Sequence, residues 1–150
     1  MRFWEIIGLW LRLKGGNFMF YVFSYTPVIT DTAADPHEIE LELSAGVIHQ
    51  VDILFQSGCN HQEFVQVFDG GHQAWPSNRG EKIRGDATVV SFREFYELKP
   101  GHNRLTARVW TTLSSGFKEV IIQIGVLPKA VLQPLSFDEL VRATAGIKEL

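Results

Sequence analysis

"HEIELELSAGVIHQVDILFQ", residues 37–56, alternates apolar and polar side chains through two runs separated by a three-residue break. In the first run Ile39, Leu41 and Leu43 share one face, and Glu38, Glu40 and Glu42 share the other. Successive side chains of a strand point to opposite faces, so a period of two predicts an extended strand with one buried side. The second run sets Val47, His49, Val51, Ile53 and Phe55 on one side. Ser44-Ala45-Gly46 has the length and small side chains of a tight connection, so the two runs read as a hairpin.

The alternation continues toward the C-terminus in EFVQVFD (63–69), HQAW (72–75), ATVVSF (87–92), YELK (96–99), NRLTARVW (103–110) and KEVIIQIGVLP (118–128). In the last two runs Leu105, Ala107 and Val109 oppose Val120, Ile122, Ile124 and Val126 as inward sets, and Ser114-Ser115-Gly116 reads as the turn of a second hairpin. The sum is about eight strands with turn signals at intervals of roughly 8–12 residues. No internal repeat and no βαβ rhythm interrupts them. The reading is all-β: an antiparallel β-sandwich or jelly roll over residues 19–133, followed by a C-terminal helix.

Composition agrees with one domain that buries its own core. The chain has 150 residues, of which 45% are hydrophobic and 21% charged; both values are ordinary for a globular protein and too apolar for a disordered one. Eleven Phe and four Trp suit the space between two sheets. A net charge of −3 with dispersed Lys and Arg gives no basic footprint for nucleic acid. The single cysteine, Cys59, excludes an internal disulfide without excluding a secreted or virion location, and a virion or extracellular surface is favoured over the cytoplasm.

The two ends depart from this pattern. MRFWEIIGLWLRL (1–13) is apolar on nearly every helical face, too short to span a bilayer, and lacks a signal-peptide cleavage site. Three readings stand for residues 1–18. They form an interfacial anchor that would bring residues 1–13 to a membrane, or a helix that packs on a partner or on its own domain, or an extension that is not native. The third has a specific motive: Lys14-Gly15-Gly16 can be encoded as a bacterial ribosome-binding site, with Asn17-Phe18 as the spacer before a start at Met19. In residues 134–150, Pro134, Ser136 and Glu139 supply a stop, an N-cap and a capping box. Phe137, Leu140, Val141 and Ile147 would then form an apolar stripe, which docks on the chain's own sandwich or on a neighbouring protein.

The chemically richest stretch is GGHQAWPSNRGEKIRGD (70–86). Its glycines, Pro76, Ser77 and Asn78 are turn formers, HQAW reads as a short return strand that buries Trp75, and Gly85-Asp86 begins the next turn. Arg84-Gly85-Asp86 also spells an integrin ligand, a short motif with little weight by itself. Five histidines (37, 49, 61, 72, 102) form no HxH or HExxH pair. Cys59 and His61 offer two ligands where zinc needs three or four, and two residues so close in one loop rarely make a nucleophile and its base. His49 lies on an apolar face and reads as a core histidine. There is no nucleophile elbow, phosphate loop or spaced carboxylate pair, so no catalytic residue, metal or cofactor is expected.

GGHQAWPSN, followed by RVW and then VIIQIGVLP, resembles small β-sandwich proteins of phage and prophage-like gene sets, over about residues 37–128. The resemblance implies a virion component: a capsid decoration, a spike or a tail adaptor. Two functions follow as expectations. The first is a non-enzymatic structural or interaction protein, a homo-oligomer or part of a larger protein shell, with contacts at Phe137, Leu140, Val141 and Ile147. The second is a ligand- or carbohydrate-binding module that uses His72, Trp75 and Trp110.

Overall fold

The computed structural model describes residues 18–128. Residues 1–17 lie outside this range, as do the expected C-terminal helix and its Phe137, Leu140, Val141 and Ile147. Nine strands make up the described chain: β1 (Met19–Tyr25), β2 (His37–Glu42), β3 (Gly46–Phe55), β4 (Glu63–Asp69), β5 (His72–Trp75), β6 (Ile83–Arg84), β7 (Thr88–Leu98), β8 (Arg104–Thr111) and β9 (Val120–Leu127). They form two antiparallel sheets. Sheet A has the order β1-β9-β3-β7; sheet B has the order β2-β8-β4-β5, with β6 paired to β4.

The two sheets share one core. Val51, Ile53, Ile122 and Ile124 from sheet A meet Leu41, Val65, Val67, Leu105, Ala107 and Val109 from sheet B, all fully buried. Each Val, Leu and Ile among them contributes about 1.5–3 kcal/mol by leaving water. The inward sets expected from alternation, Leu105, Ala107 and Val109 against Val120, Ile122, Ile124 and Val126, do face one another across this core.

The two expected hairpins do not form. β2 pairs with β8, while β3 pairs with β7 and β9, so Ser44-Ala45-Gly46 carries the chain from one sheet to the other. The segment between β8 and β9 crosses in the same way. Period-two alternation states which face is buried and is silent about which strand lies alongside. Three extended residues span about 10 Å, which equals the usual separation of packed sheets, so a short connector serves a crossing as well as a hairpin. Among the described residues the one tight hairpin, β4–β5, turns at Gly70-Gly71 as expected.

Three further differences concern strand limits. The ATVVSF and YELK runs are one continuous strand, β7. β6 is a two-residue strand inside the turn-rich stretch. β1 belongs to no run picked out above.

The expected face of β3 is broken at His49. The register slips between Ile48 and Gln50 against both neighbours, which marks a β-bulge. A bulge inserts one residue and reverses the alternation beyond it. Ile48 therefore joins Val51, Ile53 and Phe55 in the core, and the His49 ring instead lies over Gly125 on the side away from the core. A Cβ on Gly125 would meet His49 Nε2 at 2.8 Å, so glycine there makes room for the ring. The expectation of a core histidine is thus corrected.

Candidate functional site

Two places on the sandwich gather unusual chemistry, one at each side where the sheet edges meet. The first contains the expected Trp75. Its indole is 3% exposed and packs edge-on against Phe92 and Tyr96 of β7, with centroids 5.7 and 5.5 Å away. Its Nε1 donates to Glu94 Oε2 at 2.7 Å, and Tyr96 donates to Asp69 Oδ2 at 2.6 Å. Burial first, and then the Asp69 carboxylate, push the Tyr96 hydroxyl up to about 12. These contacts tie β5 of sheet B to β7 of sheet A.

The loop after Trp75 is organised from beneath by Gln73, a nearly buried side chain. Its amide nitrogen donates to Pro76 O at 2.7 Å and Glu81 O at 3.1 Å, and its amide oxygen accepts from Gly80 N at 3.1 Å. Gln66 adds a bond to Glu81 O at 2.8 Å. Between this loop and β7 lies an open cleft of about 270 Å³, lined by Trp75, Pro76, Ile83, Val90, Phe92 and Glu94 among others. Its walls are apolar. Its one carboxylate, Glu94, has no ion-pair partner among the described residues.

The three expected ligand residues do not share a site. His72 is exposed and lines a separate shallow depression with Gly71, Gln73, Ser77 and Arg79. Trp110 is buried and stacks on Phe64, with centroids 5.5 Å apart. Phe64 and Trp110 are a cross-strand pair next to the inward pair Val65 and Val109, so they occupy the opposite face of sheet B. Neither tryptophan presents an open ring face for a sugar to stack on. This corrects the tryptophan platform as drawn from sequence, and only Trp75 borders a cleft.

The Arg-Gly-Asp tripeptide is built into the fold. Asp86 Oδ1 accepts from Gly58 N at 2.9 Å and Asn60 N at 3.1 Å, and these bonds hold the carboxyl below its usual range. Gly85 is buried, with space for a Cβ closed by Thr88 Cγ2 at 2.6 Å and Phe55 Cδ2 at 2.9 Å. Asp86 thereby ties the turn before β7 to the 57–62 loop.

That loop contains Cys59, which is fully buried and whose Sγ donates to Glu63 Oε2 at 3.4 Å. Burial and the adjacent Glu63 push the thiol up to about 12, far from a reactive thiolate. Glu63 is itself fully buried; burial raises its carboxyl, while Lys118 N donates to Oε1 at 2.6 Å. His61 is exposed at positive φ and is no part of this pair. Among the described residues no group of three or more His, Cys, Asp or Glu side chains is arranged to hold a metal ion.

The second place is the other side of the sandwich, where β1 of sheet A meets β2 of sheet B. Tyr25 stacks on His37 with centroids 3.7 Å apart, and Ser44 N donates to Tyr21 Oη at 3.0 Å. Tyr25 also donates to Asp31 Oδ2 at 2.6 Å, which fixes the loop after β1. Tyr21, Phe23 and Tyr25 turn inward against the core, whereas Phe20 and Val22 turn outward and are more than half exposed. Eight large apolar side chains are exposed among the described residues. Six of them, Phe18, Met19, Phe20, Val22, Val28 and Ile29, fall within twelve consecutive positions on and around β1. The other two, Val89 and Phe95, lie on β7. Monomeric surfaces scatter such residues singly, and a cluster marks a contact.

Sequence reasoning missed this place because the run 19–25 was not read as a strand. MFYVFSY is apolar at almost every position, so period two leaves no trace in it. Its length and its aromatic and β-branched content were the available signal. No protein-family model matches the chain, and neither does any curated protein or solved structure.

Proposed function

We propose that this protein is a non-enzymatic structural protein that works by associating with copies of itself, as a building block of a larger assembly. The observation that carries the reading is the concentration of exposed apolar side chains on and around β1. It is supported by the chemistry of the polar groups that hold the loops: buried Cys59, Glu63 and Gln73 and half-buried Asp86 are all engaged in those bonds, and none is poised toward a cleft as a nucleophile or base.

The strand order supports the finer reading of the sandwich as a jelly roll. With the two-residue β6 set aside, the eight longer strands read 1-8-3-6 in one sheet and 2-7-4-5 in the other. That is the order of two Greek keys rolled together, an architecture that recurs in viral capsid domains and lectins. A virion component, whether capsid decoration, spike or tail adaptor, is the setting that fits this architecture together with an association surface. Fold alone does not fix a function.

The test is the mass of the full chain by light scattering over a wide range of concentration. A closed oligomer with a defined subunit number supports the reading, and a monomer at the highest concentration reached overturns it.

The cleft beside Trp75 favours a second reading, a ligand-binding module. An apolar-walled site with one unpaired carboxylate, Glu94, suits a cation on an aliphatic or aromatic stem. Titrating such amines while following Trp75 fluorescence, against a Glu94→Gln control, checks it. Saturable quenching that Glu94→Gln abolishes is the expected outcome.

A further inference from the structure

We infer that β1 is the assembly strand: its outer edge, which no other described strand covers, pairs antiparallel with β1 of a second copy, so that sheet A continues across a two-fold axis. This rests on the self-association proposed above and specifies its geometry.

The first argument compares edges. A sheet edge exposes unpaired N–H and C=O groups, and proteins that remain monomeric blunt it with charges, proline, bulges or brevity. Of the four edges here, three carry such a device. β2 presents Glu38, Glu40 and Glu42. β5 has four residues and is followed at once by Pro76. β7 carries Arg93, Glu94 and Glu97 in its C-terminal half. β1 has seven residues, no charge and no proline, and β9 is its one ladder partner among the described residues.

The second argument is the strand's self-complementarity. Paired antiparallel with itself and centred on Val22, MFYVFSY sets Met19 against Tyr25, Phe20 against Ser24 and Tyr21 against Phe23 of the second copy. In the outward row the large Phe20 faces the small Ser24, and Val22 faces Val22 of the second copy. The inward row gains an aromatic pair, a favourable cross-strand combination. A two-fold contact must match a surface to itself. β2 would bring its three glutamates against their own copies, and like charges directly opposed are destabilising. β1 has no charge to repel.

The third argument is position. Tyr25 is stacked on His37 and Tyr21 is bonded to Ser44, so the strand is held from within and its edge is fixed before a partner arrives. Val28 and Ile29, in the loop that follows β1, add two further exposed apolar side chains close to it in the chain.

The experiment uses the full chain with single cysteines, since the native Cys59 is buried. Val22→Cys is expected to yield a disulfide-linked dimer under mild oxidation, because opposed side chains on paired strands have Cβ atoms roughly 4.5–5.5 Å apart. Glu40→Cys, on the guarded edge of sheet B, is expected to stay unlinked. Val22→Lys places two like charges opposite each other and is expected to raise the dimer dissociation constant by roughly a hundredfold. Val22 is exposed in the monomer, so the melting temperature of the dilute protein stays near the parent value and shows that the fold is kept. An oligomer that survives Val22→Lys and does not crosslink through Val22→Cys overturns this geometry while leaving self-association in place. A monomer whose β1 amides resist hydrogen exchange overturns both, since a terminal segment of the same chain then occupies the edge.

Discussion

The outward faces of the two sheets are built on the same alternation and end in opposite chemistry. On sheet B, Glu38, Glu40 and Glu42 of β2 stand against Arg104 and Arg108 of β8, with Arg104 bridging Glu40 at 2.9 Å and Glu42 at 3.2 Å, and Arg108 bridging Glu38 at 3.1 Å. Arg108 also lies 4.2 Å above the Phe68 ring. On sheet A the corresponding rows begin with Phe20 and Val22 on β1, pass through Gln123, Gln50 and Asp52, and end beside Val89 and Phe95 on β7. Half-exposed ion pairs of the first kind are worth little, about 0–1 kcal/mol each, but they keep a face in water. An exposed phenylalanine does the reverse. The lesson is that the polar half of the alternation decides which surface stays wet and which is available for contact.

The largest expected effect comes from giving sheet A the character of sheet B. Phe20→Glu puts a charge on β1, and association of the full chain is expected to weaken by roughly a hundredfold, read as a fall in mass by light scattering. The converse change, Glu40→Phe, removes one guard from β2 and is expected to add concentration-dependent association to the parent protein. If Phe20→Glu leaves the mass unchanged, the distinction between the faces has no bearing on assembly.

Much of this contrast was legible in the sequence, and its limits have physical causes. HEIELE announced both its buried face and its charged one, because Ile39 and Leu41 alternate with acids. MFYVFSY announced neither, because both of its faces are apolar or aromatic and a strand of that kind looks the same from either side. Partner choice was invisible for a different reason. Leu105, Ala107 and Val109 do meet Val120, Ile122 and Ile124, but across the core rather than along a ladder, and alternation is identical in the two arrangements.

The candidate site was half legible. HQAW gave Trp75 as a buried return-strand residue, yet Gln73 passed unnoticed, since one amide satisfying loop atoms at Pro76, Gly80 and Glu81 has no sequence signature. The bulge at His49 was hidden in the same way. Val47 and Ile48 before it are both apolar, which allows the face to switch without breaking the hydrophobic pattern.

His49 gives the next effect, which is smaller and depends on pH. It lies on the outward face of sheet A, with Nε2 buried and unbonded and the ring 5.5 Å from that of Phe18. Burial first, and then the Arg93 charge, hold its pKa below the ordinary 6.5. The unfolded chain therefore takes up this proton at a higher pH than the folded one. Stability from the neutral ring is complete above about pH 6.5 and is lost as the pH falls through that value toward the folded pKa. Melting temperatures between about pH 7.5 and 5.5 are expected to fall in the parent, and to fall less in His49→Leu. Equal slopes in the two proteins would remove His49 as the acid-sensitive element of this face.

The smallest effect belongs to the charged face. Arg104→Ala breaks two of the described bridges at once, but both partners are mostly in water, at 57% and 65% side-chain exposure for Glu40 and Glu42. Attraction at that exposure is offset by the entropy of holding long side chains and is screened within about 10 Å at 0.1 M salt. The expected cost is about 0.5 kcal/mol at low salt, vanishing near 1 M, as read from denaturant midpoints. If the loss exceeds about 2 kcal/mol or persists in high salt, then Arg104 contributes through packing of its aliphatic stem across β2, and this face is held by burial in the same way as the other. The ladder of glutamates and arginines would then be a structural seam, and keeping this face in water would fall to Glu38, Glu40 and Glu42 alone.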